Sequence, residues 1–214
     1  MKRGKFYVLE GLDKVGKTTQ AEKLGKKLNG KVEKFPYRTS EIGQILNKHL
    51  TNEKKIECLK TEHLLMAANR AEREEEIIKT LKNGVDVIAD RFYASGVAYT
   101  SAKGINGTTF QTNEDLYNWA KMADWNIIEP DITFYFKSET GFKEKDDINR
   151  EIYENVTFQN KVDTQFEKIK NEKKNWLEIK VDAYKNKVEE LTEELFRIVE
   201  EDKKTENSLH FNTF

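Results

Sequence analysis

Short runs of apolar residues alternate with longer stretches in which apolar residues recur every three or four positions. Buried strands are predicted by the runs at 5–10, 31–35, 85–90, 131–137 and 176–181. Helical spacing covers 18–28, 41–49, 56–83, 95–103, 115–122, 153–170 and 185–200. Because strands that alternate with helices of this length are joined by crossovers, the pattern predicts an α/β fold built on a parallel sheet.

Single residues mark the ends of several elements. Ser40 is placed to cap the helix at 41–49, and Gly84 follows the end of the helix at 56–83. The segment 138–150 is polar and dense in charge, which predicts an exposed, mobile segment. The residues from Asp202 to 214 predict a frayed tail. No repeat or linker divides the chain, so we expect a single domain over residues 1–214.

Composition and charge exclude several classes of protein. The chain has 37 basic and 38 acidic residues, so no excess of positive charge exists to bind nucleic acid. No stretch approaches the ~18 apolar residues of a membrane span, so neither nucleic acid nor a membrane is an expected partner. Cys58 is the only cysteine, and no His/Cys spacing indicates zinc. We therefore expect a reducing location, the cytoplasm, or the host cytoplasm if the chain is viral.

The sequence between two of these elements matches a phosphate-binding loop. Gly11, Gly16, Lys17 and Thr18 satisfy the pattern G-x(4)-G-K-[ST], with an apolar strand before it and a helix after it. The glycines let backbone N–H groups surround phosphate oxygens, while the lysine reaches the β and γ phosphates and the threonine can hold Mg²⁺. This context predicts a nucleoside triphosphate site rather than an empty glycine turn.

A second element, a strand that ends in an acidic residue, supplies a further possible ligand for Mg²⁺. The strand at 85–90 ends in Asp90, followed by Arg91, which fits a carboxylate that holds Mg²⁺ directly or through water. The string N-K-V-D at 160–163 matches a guanine-specificity motif, but it lies inside an amphipathic helical run. We therefore interpret that string as a helix face and reject a switch GTPase.

Several blocks between residue 5 and about residue 183 together resemble thymidylate kinases of the eukaryotic and large-DNA-virus branch. They are the loop at 9–20 with an acid at Asp13, F-P-Y-R at 35–38, L-L-M-A-A-N-R at 64–70, D-R-F-Y-A-S-G-V-A-Y at 90–99 and Y-E-N-V-T-F-Q at 153–159. The last two strings are far more specific than the phosphate loop. All five blocks occur in the order typical of the family.

The resemblance implies a three-layer P-loop NTPase fold, with a five-stranded parallel sheet flanked by helices and a short lid at about 138–152. It implies transfer of the γ-phosphoryl group of ATP to dTMP, giving dTDP and ADP in dTTP biosynthesis, with Mg²⁺ as cofactor and a homodimer as the assembly. The implied catalytic residues are Lys17, Arg91, Lys14 and Arg150. The implied ATP-binding residues are Gly11, Lys14, Val15, Gly16, Lys17, Thr18 and Thr19. The implied dTMP-binding residues are Asp13, Phe35, Arg38, Met66, Arg70, Arg91, Ser95, Gly96, Tyr99 and Tyr153, and the implied metal-binding residues are Thr18 and Asp90.

The resemblance also implies roles within the dTMP site. Arg38 and Arg91 would grip the acceptor phosphate, and Asp13 would accept a hydrogen bond from the 3′-hydroxyl. Arg70 and Ser95 would meet the thymine ring, with Gly96 allowing close approach, and Tyr153 would pack on the sugar and help to exclude a 2′-hydroxyl. From the residues alone, Arg70 could instead pair with Glu74 four positions later on a helix face.

Two residues depart from the family pattern in the base pocket. Met66 stands where the family usually has a phenylalanine that stacks on thymine, and Ala71 replaces the usual tryptophan. Methionine is flexible and polarizable, so it covers a base less firmly than an aromatic ring does. We therefore expect a roomier pocket and broadened nucleotide specificity.

Three questions stay open at the level of sequence. Lys14 and Arg150 both qualify as the cation that stabilises the transition state. A nucleoside kinase is the nearest alternative enzyme, although the F-P-x-R phosphate grip argues against it. A catalytically inactive P-loop module that binds nucleotide is an alternative of another class, which the joint presence of Lys17, Thr18, Asp90 and Arg91 disfavours.

Overall fold

Five strands form one parallel sheet in the part of the chain that the structure describes. The computed structural model describes residues 2–142, 151–204 and 213. The strands are β1 (Phe6–Gly11), β2 (Lys31–Lys34), β3 (Val87–Asp90), β4 (Ile132–Lys137) and β5 (Trp176–Lys180). Their order across the sheet is β2-β3-β1-β4-β5, and all neighbouring pairs are parallel. The predicted five-stranded parallel sheet is confirmed.

Helices connect the strands and cover both faces of the sheet. Over the described ranges they are α1 (Lys17–Leu28), α2 (Glu41–Leu50), α3 (Leu59–Lys82), α4 (Tyr93–Lys103), α5 (Asn113–Met122), α6 (Val156–Glu172) and α7 (Val188–Asp202), with a 3₁₀ turn at Val181–Tyr184. Ser40 caps α2 as predicted, because its side chain accepts a hydrogen bond from the Gly43 backbone N–H. Among the described residues, no helix is long and apolar enough to cross a membrane.

The alternation of side chains along β1 shows that the centre of the sheet is buried on both sides. Phe6 and Val8 pack on one face with apolar residues of α3, α4, α5 and α6. Tyr7 and Leu9 pack on the opposite face with α1 and α7. Each of these four side chains is at most 1% exposed. A strand covered on both faces must be apolar at nearly every position, which is the pattern in the sequence.

The register of the sheet places two functional segments side by side. Leu9 of β1 lies opposite Asp90 of β3. β1 runs directly into the glycine-rich loop, and β3 runs directly into Arg91. Because the carboxyl ends of parallel strands meet at one edge of a sheet, this edge is where such folds bind ligands.

The start of α6 differs from the prediction. Tyr153 lies before the helix rather than within it. The helix begins after Asn155, because the Asn155 side chain caps it by accepting a hydrogen bond from the Phe158 backbone N–H at 2.8 Å. The N-K-V-D string at 160–163 does lie inside α6, as predicted. Its Asp163 accepts hydrogen bonds from the Tyr135 hydroxyl at 2.7 Å and the Lys137 ammonium at 2.6 Å.

Other boundaries also differ from the prediction by one to three residues; α3, for example, begins at Leu59 rather than at 56, and α7 at Val188 rather than at 185. β3 begins at Val87 rather than at 85, because the Asp86 carboxylate takes the Lys5 backbone N–H that would otherwise pair with the strand. Asp202 is not frayed as predicted, because it ends α7 and accepts a hydrogen bond from the Tyr7 hydroxyl at 3.1 Å. Residues 205–212 and 214 lie outside the described part of the chain.

Candidate active site

The glycine-rich loop leads from β1 into α1 at the carboxyl edge of the sheet. Gly16 directly precedes α1 and has a φ of +95°, a conformation that glycine adopts far more easily than other residues. The first N–H groups of α1 have no acceptor within the helix, so this end of the helix favours an anion. Lys14, Val15 and Thr19 line the same cleft. The predicted donor-side residues are therefore together.

The ammonium group of Lys17 lies beneath the loop. The residue is 5% exposed, and its Nζ donates a hydrogen bond to the Leu12 carbonyl oxygen. Burial and the charge of Arg91 lower the pKa of Lys17 to about 7, although Asp90 and Asp13 act in the opposite direction. Phosphate groups bound beside Lys17 would favour its charged form.

Thr18 and Asp90 meet at the head of α1. The Thr18 hydroxyl donates a hydrogen bond to a carboxylate oxygen of Asp90 at a distance of 2.5 Å, and Asp90 is 3% exposed. Hydroxyl and carboxylate oxygens are the hard ligands that Mg²⁺ prefers, and this ion commonly takes only one or two protein ligands beside substrate phosphates. The donor set of this pair therefore fits Mg²⁺.

Arg91 links the phosphate loop to a second cleft. Its guanidinium donates to the Gly11 carbonyl oxygen at 2.9 Å and the Ser95 hydroxyl at 3.0 Å, and it pairs with the Asp13 carboxylate. Its backbone has a φ of +68°, which is uncommon for a residue with a side chain. The side chain is 16% exposed, so this cation is presented to the cleft from a fixed position.

Asp13 is the point where several side chains converge. Besides Arg91, it accepts hydrogen bonds from the Tyr99 hydroxyl at 2.9 Å and the Gln159 amide at 2.6 Å. Burial alone would raise the pKa of Asp13, but the charges of Arg91 and Lys17, together with these hydrogen bonds, hold the pKa below its ordinary value. The carboxylate is therefore ionised and already oriented.

The buried carboxylate of Glu10 fixes Ser95 by hydrogen bonds. Glu10, 1% exposed, accepts the backbone N–H groups of Phe92 and Ser95 at 2.9 and 3.0 Å, and it accepts the Ser95 hydroxyl at 2.5 Å. Burial raises the pKa of Glu10. The hydroxyl proton of Ser95 is thus committed to Glu10, while its oxygen accepts from Arg91. In this arrangement Ser95 orients Arg91 as well as lining the cleft.

The second cleft lies between α3, α4 and the turn after β2. Most of the predicted acceptor-side residues line it: Asp13, Phe35, Met66, Arg70, Arg91, Ser95, Gly96, Tyr99 and Tyr153. Arg38 lies in the adjoining space with the phosphate loop and Asp90. Both spaces share Asp13, Phe35 and Arg91, so the acceptor side opens toward the donor side.

Arg70 is held at the inner end of this cleft. Its guanidinium makes two hydrogen bonds to the Asp124 carboxylate, at 2.6 and 2.7 Å. The alternative pairing with Glu74 is wrong, because Glu74 accepts the Ile128 backbone N–H instead. A Cβ at Gly96 would lie 2.7 Å from a terminal nitrogen of Arg70, so the close approach that Gly96 allows is made by this guanidinium.

The turn that carries Arg38 is fixed by Asn69. The Phe35–Pro36 peptide bond is cis. The Asn69 side chain accepts the Tyr37 backbone N–H at 2.6 Å and donates to the Tyr37 carbonyl oxygen at 3.0 Å. Beyond this turn, the Arg38 guanidinium donates to Asn47 and to the Glu151 carboxylate.

Of the two candidate transition-state cations, Lys14 lies within the described residues and Arg150 does not. Lys14 has a φ of +62°, and its ammonium lies 2.5 Å from the Glu154 carboxylate and 5.7 Å from the centre of the Phe142 ring. Arg150 lies outside the described residues. Lys14 therefore sits at the mouth of the phosphate loop, paired with a carboxylate just after the implied lid.

Asp182 lines the donor cleft and binds the segment that follows β4. Its carboxylate accepts the Glu139 backbone N–H at 2.6 Å and the hydroxyls of Thr140 and Ser138 at 3.1 and 3.2 Å. Ser138 and Phe142 are buried, at 7% and 4% exposure, so the predicted exposure of 138–150 is wrong for these two residues. Residues 143–150 lie outside the described part of the chain.

Several residues that shape the site were not predicted from the sequence. Gln159 and Asn69 stand inside the quoted blocks, and Glu10 precedes the phosphate loop, so their positions could have drawn attention. Asp124 lies outside every motif, and only the packing of distant segments brings it to Arg70. Glu62 lies one helical turn before Met66 on α3, so helical spacing could have placed it at the cleft.

Comparison with known proteins agrees with this geometry. The sequence model of the family described as thymidylate kinase matches residues 9–195. A thymidylate kinase of Dictyostelium discoideum is 36% identical over 76% of this chain and 71% of its own length. The human thymidylate kinase is 34% identical over 94% of this chain and 92% of its own length.

A solved structure gives the same result for the fold. The thymidylate kinase of Candida albicans, described as having broad substrate specificity, superposes with a TM-score of 0.82 at 30% identity. The match covers 98% of each chain. The predicted P-loop α/β fold and the predicted family are thus confirmed, and the chain belongs to the thymidylate kinase family.

Proposed function

We propose that this chain transfers the γ-phosphoryl group of ATP to dTMP, giving dTDP and ADP. The observation that carries the proposal is the position of Arg91 and Asp13, which line both the phosphate-loop space and the acceptor cleft. A monophosphate in the cleft would face the terminal phosphate of a nucleotide on the loop. This is the arrangement that direct phosphoryl transfer requires.

The donor side is supplied by the loop and the head of α1. Lys17 and Lys14 neutralise the donor phosphates, and the backbone N–H groups from Gly11 to Thr19 surround them. Asp182 and the 3₁₀ turn border the space left for the base of ATP. Lys14 and Arg150 both stay candidates for the decisive cation, and comparing the kcat losses of Lys14→Ala and Arg150→Ala distinguishes them.

Thr18 and Asp90 are the residues that would hold Mg²⁺. The ion, when bound with ATP, neutralises charge on the transferring phosphates. The chain itself orients the reactants: Asp90 is fixed at the end of β3, and the Thr18 hydroxyl points to it. No side chain needs to become covalently attached to the phosphoryl group.

On the acceptor side, different residues bind the phosphate, the sugar and the base of dTMP. Arg38 and Arg91 bind the phosphate, and the planar guanidinium can do so with two hydrogen bonds at once, which the ammonium of a lysine does less well. Asp13 accepts the 3′-hydroxyl, and Arg70 and Met66 meet the base. The neighbouring walls of the cleft are formed by Phe35, Ser95, Gly96, Tyr99 and Tyr153.

The base pocket favours broadened specificity. Met66 lines the cleft where the family resemblance expects an aromatic ring. A thioether covers a base through dispersion without fixing its plane, so the pocket discriminates less between pyrimidines or purines of different size. The relative from Candida albicans with broad substrate specificity supports this part of the proposal.

We also propose a homodimer and a cytoplasmic location. Leu64 on α3 and Ile45 on α2 are 51% and 49% exposed, and exposed apolar side chains on adjacent helices are what a partner subunit covers. Light scattering that gives a monomer would contradict the dimer. The single cysteine suits a reducing compartment.

The acceptor panel tests the reaction. ADP formation is followed with ATP and Mg²⁺ and, separately, dTMP, dUMP, dGMP, dCMP, AMP and thymidine. We expect turnover with dTMP well above the others. Turnover with thymidine alone would indicate a nucleoside kinase, and ATP binding without turnover of any acceptor would indicate an inactive nucleotide-binding module.

A further inference from the structure

Four polar side chains form a cluster on the wall of the acceptor cleft. His49 comes from α2, Glu62 from α3, Lys103 from the end of α4, and Tyr153 from the segment before α6. The proposed reaction gives no role to the first three. Glu62 nevertheless lines the cleft together with Tyr153, so the cluster borders the space where an acceptor nucleotide binds.

Glu62 is the centre of this cluster. Its carboxylate accepts hydrogen bonds from the Tyr153 hydroxyl and from the Lys103 ammonium. Lys103 also donates to the Tyr153 hydroxyl oxygen at 2.7 Å and lies 4.7 Å from the centre of its ring. The Glu62 side chain is 10% exposed. Hydrogen bonds to a charged group are strong when water is kept away from them.

His49 closes the remaining side of the cluster. Its Nδ1 accepts the Ile56 backbone N–H at 3.0 Å, so a neutral His49 carries its proton on Nε2. That nitrogen lies 3.1 Å from the Tyr153 hydroxyl and 3.4 Å from the Glu62 carboxylate. All the neighbours of the Tyr153 hydroxyl therefore belong to this cluster, among the described contacts.

The backbone of Tyr153 is fixed separately. Its carbonyl oxygen accepts a hydrogen bond from the Gln159 amide at 3.0 Å, and the same amide donates to Asp13. The ring packs edge to face against Tyr99 at a centroid distance of 5.8 Å. Glu62 and Gln159 thus hold the two ends of one residue, and Phe158 stacks on its ring at a centroid distance of 5.3 Å.

We propose that Glu62 is a positioning residue for sugar selectivity, holding the Tyr153 ring where it excludes a 2′-hydroxyl from the cleft. The inference rests on the proposed function, in which Asp13 accepts the 3′-hydroxyl of the acceptor. The 2′ carbon is bonded to the 3′ carbon, so a 2′-hydroxyl would meet the wall beside Asp13. Tyr99 and Tyr153 form that wall, and a ring that is free to shift would admit the extra oxygen.

The test compares dTMP with ribothymidine 5′-monophosphate, which has the same base and phosphate and adds a 2′-hydroxyl. Glu62→Gln removes the charge that holds Tyr153, and Tyr153→Phe removes the hydroxyl while keeping the ring. We expect each variant to lower the kcat/KM ratio of dTMP over the ribonucleotide by about tenfold, the scale of one charged hydrogen bond. The double variant should lose no more than Tyr153→Phe alone, because that change already removes the hydroxyl that Glu62 binds.

A second cluster in the chain provides the matched control. The Glu172 carboxylate accepts the Tyr117 hydroxyl at 2.9 Å and the Lys121 ammonium at 2.6 Å, and Lys121 lies 5.3 Å from the Tyr117 ring centre. These residues do not line the acceptor cleft. Glu172→Gln breaks the same kind of contact, and we expect it to leave the selectivity ratio unchanged.

Several outcomes would overturn the inference. One is equal use of both acceptors by the wild type. Another is a Glu62→Gln variant whose selectivity is unchanged although its melting temperature falls, which would make the role of Glu62 purely structural. A third is additive losses of selectivity in the double variant. If the wild type binds but does not phosphorylate dTMP, the proposed function fails on its own. Calorimetric affinities for the two nucleotides then decide the role of Glu62, since equal ratios in wild type and variants would contradict it.

Discussion

The guanidinium of Arg70 donates two hydrogen bonds to the carboxylate of Asp124, from Nε at 2.6 Å and from Nη2 at 2.7 Å. Their side chains are 4% and 0% exposed. The pair fixes the arginine at the inner end of the acceptor cleft, where the base of dTMP is proposed to bind. A fixed donor can read a base without first losing the freedom of a long side chain.

Replacing Asp124 should destabilise the protein and weaken dTMP binding. Asp124→Asn leaves a buried guanidinium without its counter-charge, and we expect a loss of about 3–5 kcal/mol in the free energy of unfolding. Urea denaturation measures this loss. Glu194→Gln is the control, because its partner Arg197 is 59% exposed, and it should unfold like the wild type. Equal unfolding of Asp124→Asn and wild type would contradict the role of the pair.

Met66→Phe should sharpen base discrimination. A ring at this position would stack on the base, and such contacts contribute about 0.5–1.5 kcal/mol. We expect the kcat/KM ratio of dTMP over dUMP and dGMP to rise by about 2- to 10-fold. Met122→Phe, at a side chain that is 70% exposed, is the matched control. Equal discrimination by wild type and Met66→Phe would count against a base pocket at this residue.

Glu151 competes with the acceptor phosphate for Arg38. The two side chains are ion-paired and about one-third exposed, so the pair contributes at most about 1 kcal/mol. Glu151→Gln should therefore lower the KM for dTMP by a few-fold at most, while Arg38→Ala should raise it. Glu189→Gln, which breaks an exposed pair with Lys23, should leave KM unchanged. A higher KM in Glu151→Gln would show that Glu151 assists binding instead.

His63 should make folding stability depend on pH. The ring is 1% exposed, its Nδ1 meets the Thr100 hydroxyl at 2.7 Å, and its Nε2 meets the Ala120 carbonyl oxygen at 2.9 Å. Burial, and secondarily Arg70, lowers the pKa of His63 from 6.5 to about 4. Between these values the unfolded chain binds a proton that the folded chain does not bind. The stabilisation is thus complete above pH 6.5 and is lost as the pH falls toward 4.

The size of this effect can be measured. A shift from 6.5 to about 4 corresponds to up to about 3 kcal/mol. Urea unfolding at several pH values should show a flatter decline between pH 6.5 and 4 for His63→Gln than for the wild type. Identical slopes would contradict a neutral, buried His63.

The sequence predicted the central strands β1, β3 and β4 because they are buried on both faces. Phe6 to Leu9 are apolar without interruption, and the same holds for the core of β4. The glycine loop, Asp90 and Arg91 were predictable because local patterns carry their chemistry. The boundary at Tyr153 was wrong because one capping side chain, Asn155, decides where α6 begins.

The support around the site was not predictable in the same way. Gln159 reaches Asp13 across 146 positions, and Asp124 reaches Arg70 across 54. No periodicity or motif in one sequence encodes such a pairing, because it depends on how α4, α5 and α6 pack on the sheet. The contact between Glu62 and Tyr153, across 91 positions, belongs to this class as well.

The most direct test of the central claim is to identify the product by phosphorus NMR. With ATP, Mg²⁺ and dTMP, we expect the resonances of dTDP to appear as those of ATP decline. Lys17→Ala, which removes the buried cation beneath the loop, should abolish the dTDP signal. Release of inorganic phosphate from ATP without any dTDP would contradict the claim that the acceptor is the phosphate of dTMP.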